Sequence, residues 1–118
     1  MNPERRKTHR VRIYLPLRVR FNQNQQVSET LTRDLSGGGL RYISQQPVPV
    51  LAEFGLELTL AAGREPFTAR GKVVWFQRIP HSEQFEVGVS FLEVSQENQR
   101  RLSTYLYQLS NQSEAVPA

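Results

Sequence analysis

The sequence predicts an all-β domain that ends in a single helix. Three observations carry this. Apolar residues alternate with polar ones along 13–21, 54–60 and 85–91, the period-two signature of strands buried on one face. Glycine, proline and polar clusters punctuate these runs at short, regular intervals. After Ser95 the period lengthens to that of an amphipathic helix, with Leu102, Tyr105, Leu106 and Leu109 at i, i+3, i+4 and i+7.

Taken in order, Ile13, Leu15, Leu17, Val19 and Phe21 form one face of a first strand. Pro16 has no N–H, so it belongs at an edge or a bulge. Residues 22–26 are polar and make a turn. Val27, Leu31 and Leu35 mark a second, more polar strand, which Gly37-Gly38-Gly39 breaks before extended structure resumes over 40–43. Pro47 and Pro49 place a loop at 45–50. Phe54, Leu56, Leu58 and Leu60 define another one-sided strand, and Gly63 and Pro66 a hairpin connection. In the strand over 68–78, Val73-Val74-Trp75-Phe76 is apolar on both faces, and core packing is the expected role of Val74, Trp75 and Phe76. After a turn over 78–84, Phe85, Val87, Val89 and Phe91 alternate with polar residues or glycine. Ser95 is placed to cap the helix. About six short strands and one helix make a small antiparallel barrel or sandwich.

At 118 residues the chain fits one domain with one core. It has no cysteine, which excludes disulfides, thiolate metal sites, iron–sulfur clusters and a cysteine nucleophile. His9 and His81 fall in loops with no cluster of metal ligands around them, and no hydrolase or Walker-type motif occurs. The expectation is a protein that is not an enzyme and holds no metal. No stretch approaches the ~20 apolar residues of a membrane-spanning helix, and no signal peptide opens the chain, so a cytoplasmic protein is expected.

The net charge of +4 is unevenly placed. Residues 1–20 carry seven basic side chains against Glu4, a net +6, and residues 21–118 carry eight basic against ten acidic, a net −2. A short basic arm is therefore the anion-seeking part. Within it, Arg6 and Arg10 are four apart. A guanidinium fork fits a phosphate bidentately, and it also fits the O6/N7 edge of guanine. Farther on, Asp34 and Ser36 stand on one face of a strand while Leu35 anchors on the other, followed by glycines that permit positive φ and close backbone approach to a ligand. A carboxylate accepts only, which suits the N1/N2 donor edge of guanine. A ligand with both phosphates and guanine edges would use both motifs.

Arg6-x-x-x-Arg10 followed by Asp34-x-Ser36-x-x-Gly39 resembles the paired motif of the PilZ domain, a bacterial receptor for cyclic di-GMP. Gly71-x-Val73-Val74-Trp75 and Val87-Gly88-Val89-Ser90-Phe91 are also similar to strands of that family. The resemblance implies a six-stranded antiparallel barrel. It implies that Arg6 and Arg10 contact phosphates and guanine O6/N7, that Asp34 and Ser36 bond the other guanine edge, and that Gly39 lets backbone come close. Arg5 resembles members that bind two intercalated cyclic di-GMP molecules. The expected organisation is one PilZ domain: a flexible arm over 1–10, the barrel over 11–94, the helix over 95–110 and a tail over 111–118. The ligand would order the arm and change the surface offered to an effector protein in another chain. No DNA, RNA, further cofactor or membrane insertion is expected. The alternatives are a basic-arm β-barrel that binds nucleic acid, and a PilZ scaffold acting through protein contacts alone.

Overall fold

In the computed structural model, which describes residues 10–21 and 26–115, the chain runs β1 (Val11–Arg12), β2 (Pro16–Phe21), β3 (Val27–Ser36), β4 (Gly39–Ser44), β5 (Glu53–Leu58), β6 (Phe67–Arg78), β7 (Phe85–Glu93) and α1 (Gln96–Ala115). All pairings are antiparallel. The order β3-β2-β5-β6-β7-β4 closes through a β3–β4 pairing into a six-stranded barrel, and the two-residue β1 adds to β3. Closure leaves no long unpaired edge in the ring, the usual liability of a small sheet. The interior is filled by inward residues of every barrel strand, among them Leu17, Leu35, Tyr42, Phe54, Phe67, Val73 and Val87.

The first strand is not continuous. Burial alternates from Val11 to Phe21 as the sequence implies, but the ladder stops at Ile13 and restarts at Pro16. Thr32 fills the gap. Its hydroxyl donates to the Ile13 carbonyl at 2.6 Å and accepts from the Leu15 N–H at 2.9 Å. Its own N–H donates to the Leu15 carbonyl at 2.9 Å. A side chain thus satisfies main-chain groups that a regular ladder would have paired. Pro16 sits at the start of β2, where its missing N–H costs no ladder bond.

β3 departs from the expected pattern. Val27 and Leu31 face solvent, whereas Leu35 is fully buried. A bulge explains the change. The register against β4 shifts between Thr32 and Asp34, leaving Arg33 as the surplus residue, and side-chain parity flips there. A second bulge lies between Val73 and Trp75 in β6. It turns Val74 and Trp75 outward, and Phe76 alone of the three packs against the core. The core role expected of Val74 and Trp75 is therefore corrected.

Ser95 caps α1, its hydroxyl accepting from the Asn98 N–H at 3.1 Å. Leu102, Tyr105 and Leu106 pack against the core. Arg101 donates to the carbonyls of Glu65 and Pro66, and the Asn98 amide donates to the Thr68 carbonyl at 3.3 Å, which ties α1 to the β5–β6 connection and to the start of β6. The helix runs to Ala115, five residues beyond the expected end, because 110–115 contains neither glycine nor proline to stop it. In the β5–β6 connection Gly63 takes φ +76°, the left-handed conformation that glycine adopts without strain.

Candidate functional site

The interruption between β1 and β2 lets the chain lie along the upper half of β3. Val11 pairs with Leu35 and Arg12 with Asp34, so Arg10 enters β1 beside the carboxylate. Arg10 Nη1 donates to Asp34 Oδ1 at 2.8 Å, across 24 residues of sequence. The other carboxylate oxygen, Oδ2, accepts from Arg41 Nε. Arg41 in turn places Nη1 3.2 Å from Glu86 Oε1. Asp34 is only 3% exposed, and two guanidinium groups compensate its buried charge. Burial alone would lower the pKa of Arg41. The hydrogen bond and charge of Asp34, with those of Glu86, outweigh that and raise it, so the guanidinium is held firmly protonated.

Ser36 and Gly39 pair across a two-residue turn. The Ser36 hydroxyl accepts from the Gly38 N–H at 3.2 Å and donates to the Gly39 carbonyl at 3.3 Å, closing the hairpin on itself. The conformational freedom expected of the glycines is not used at two of them. Neither Gly38 nor Gly39 uses a positive φ. Gly39 is required because a Cβ there would collide with the Val89 carbonyl of β7, so the close backbone approach is to the protein's own strand. The polar platform read from the sequence is also more enclosed than expected. Ser36 is 2% exposed, and its hydroxyl is engaged with the turn.

Register places the surrounding residues. Asp34 pairs with Arg41, Arg41 with Gly88, and Gly88 with Trp75, which makes one transverse row on the outer face of β3, β4, β7 and β6. A Cβ at Gly88 would collide with the Trp75 indole, so the ring lies across the glycine. Trp75 remains 37% exposed. The next row runs Ser36, Gly39, Ser90 and Lys72. Two glycines thus thin the middle of a face bounded by carboxylate and hydroxyl on one side and by indole and ammonium on the other.

Of the residues singled out from the sequence, Arg10, Asp34, Ser36 and Gly39 lie together. Arg5 and Arg6 lie outside the described residues, as does the rest of the arm before Arg10. Arg41 and Glu86 were missed, and Trp75 was assigned to the core rather than to this face. Arg41 was legible in principle, because it alternates with the buried Leu40 and Tyr42 and so must face outward beside Asp34. Among the described residues no group of three or more histidine, aspartate or glutamate side chains could hold a metal ion. Nor is any helix there long and apolar enough to cross a membrane.

A family model described as PilZ domain matches residues 4–108. The chain belongs to the PilZ domain family. Solved PilZ structures share its fold. The PilZ domain of YcgR from Escherichia coli, determined with c-di-GMP, superposes with a TM-score of 0.69 at 14% identity, covering 95% of this chain and 99% of that one. The Bacillus subtilis inhibitor of motility MotI/DgrA gives 0.74 at 18%, covering 95% and 53%. The K. pneumonia MrkH–c-di-GMP complex gives 0.74 at 21%, covering 92% and 53%. This PilZ chain spans about half the length of the last two proteins. No curated protein matches the sequence.

Proposed function

We propose that this PilZ domain is a receptor for cyclic di-GMP without enzymatic activity of its own. One observation carries the reading. Arg10 of the arginine motif and Asp34 of the Asp-x-Ser-x-x-Gly motif, far apart in sequence, meet in a hydrogen bond on the barrel's outer face. A guanine-containing dinucleotide offers each of them a replacement partner. Its phosphates and O6/N7 edges suit the Arg10 fork, and its N1–H and N2–H groups suit the Asp34 carboxylate. Arg6, and Arg5 for a second ligand molecule, would add cations from the arm. Ser36 and Gly39 shape the hairpin beside the base. YcgR and MrkH, which share the fold, are described as complexes with c-di-GMP. Ligand that bridges arm and barrel would order residues 1–10 and change the surface presented to an effector protein. In this reading the domain bounds are 1–10 for the arm, 11–94 for the barrel and 95 onward for the helix and tail.

Calorimetry tests the reading with cyclic di-GMP, cyclic di-AMP and GTP on the wild type, Arg6→Ala, Arg10→Ala and Asp34→Ala. The expected result is micromolar or tighter binding of cyclic di-GMP alone, with each substitution costing ~1–3 kcal/mol, the scale of one bidentate base contact. No heat with the wild type sinks the receptor. Full affinity in Arg10→Ala sinks the assigned site.

A further inference from the structure

The two oxygens of Asp34 are held by arginines of different standing. Arg10 stands at the mouth of β1, with its side chain 46% exposed, in the segment that the receptor reading moves onto the ligand. Arg41 sits inside β4, flanked by β3 and β7, and is 31% exposed. It bonds Asp34 through Nε and is held from the far side by Glu86. Glu86 lies on β7, one strand beyond, opposite Ile43 of β4. Among the other charged neighbours, Arg12 is the exposed register partner of Asp34, and Arg33 is stacked 5.8 Å from the Tyr14 ring.

We infer that Arg41, backed by Glu86, is the positioning residue that aims Asp34 at the base and so sets the preference for guanine. This inference rests on the receptor reading. A carboxylate has about four lone-pair positions, so Oδ2 can keep Arg41 and still accept from a base while Oδ1 exchanges Arg10 for a ligand N–H. Exchange without Arg41 would leave a buried carboxylate with no fixed cation, which is strongly unfavourable. It would also leave the carboxylate free to rotate. An acceptor pair reads N1–H and N2–H together only when its plane is fixed, and the Nε contact fixes it. Lysine in this position would keep the charge, but a single ammonium lacks the planar fork that reaches Asp34 and Glu86 at once.

The test compares cyclic di-GMP with its inosine analogue, which lacks the 2-amino group, on the wild type, Arg41→Ala, Arg41→Lys, Glu86→Gln, Asp34→Ala and the Arg41→Ala/Asp34→Ala double variant. Wild type should prefer the guanine ligand by about tenfold or more, the scale of one hydrogen bond to a charged group. Arg41→Ala should lose most of that preference by weakening the guanine ligand while changing the inosine analogue little. Arg41→Lys should restore it only in part. Glu86→Gln, which leaves every ligand-facing group in place, should shift the preference in the same direction by a smaller factor. On the Asp34→Ala background Arg41→Ala should add nothing. If the variants weaken both ligands by one common factor, or keep the wild-type preference, Arg41 is structural only and the inference fails. Should Arg41→Ala not fold, Glu86→Gln and Arg41→Lys decide by the same ratio. A wild type that binds neither ligand removes the receptor reading instead, and this inference with it.

Discussion

Tyr42 holds the one buried side-chain polar atom among the described residues that no protein group satisfies. Its ring fills the barrel beside Val87, and its hydroxyl is enclosed with nothing to bond. A buried hydroxyl without a partner carries a desolvation cost of ~1–3 kcal/mol. Tyr42→Phe keeps the ring and removes that cost. The variant should melt at a higher temperature than the wild type, and a clear drop would show that the hydroxyl is bonded after all. Burial also pushes the Tyr42 phenol above its ordinary pKa of about 10. The folded chain therefore keeps this proton where the unfolded chain has lost it. The stabilisation linked to it is complete below pH ~10 and is lost as pH climbs beyond that. Tyr42→Phe should flatten the alkaline limb of the stability curve, with Tyr105, also raised by burial, leaving a residual slope.

At the scale of elements, the β1–β2 interruption depends on a single side chain. Thr32→Val preserves shape but strips the Ile13 carbonyl and the Leu15 N–H of their partner. Leaving such groups unmade costs ~1–3 kcal/mol. Urea denaturation should show a loss of that order, and an unchanged midpoint would mean that water replaces the hydroxyl at no cost. Strands with strict alternation were legible, as Leu17 and Val19 in β2 or Phe54, Leu56 and Leu58 in β5 show, because one buried face imposes a period of two. β3 was legible only in part. Val27, Leu31 and Leu35 looked like one face, but the bulge at Arg33 resets the parity, and bulges leave no mark in hydropathy. Trp75 was misplaced for the same reason. The motif residues Asp34 and Ser36 were legible as chemistry. Their enclosure was not, because Arg10 reaches Asp34 only through the β1–β3 pairing, and the Ser36 hydroxyl is taken up by its own turn.

Across the whole molecule, the charge is split between a basic leading segment and a slightly acidic remainder. Part of the leading charge is already matched within the barrel: Arg18 lies 3.4 Å from Glu29 and 3.8 Å from Glu57, and Arg10 bonds Asp34. What remains resembles a steering field for a small anion more than a track for a long polyanion. Between 50 and 200 mM salt the affinity for cyclic di-GMP should fall by roughly tenfold or less. A nucleic acid contacted at 6–10 phosphates would lose about 10³–10⁵ over the same range. Fluorescence or calorimetric titration at both salt levels separates these outcomes, and a loss of the larger size would favour nucleic acid. The distribution of charge was fully legible from the chain. The pairing that neutralises part of it was not, because it links residues of β2, β3 and β5 that are distant in sequence.

The surplus residue in β3 has a further consequence for how such a chain can change over generations. Residue exchange at Arg33 leaves the count intact and should be tolerated widely. Removal of that one residue would close the bulge, so that Thr32, facing inward, and Asp34, facing outward, would become direct neighbours in regular alternation opposite Tyr42 and Arg41. Leu35 would still point into the barrel, and Asp34 and Ser36 would still point to its outer face. A single lost codon at this position would thus take the bend out of the strand while leaving each residue of the site on the face it already occupies.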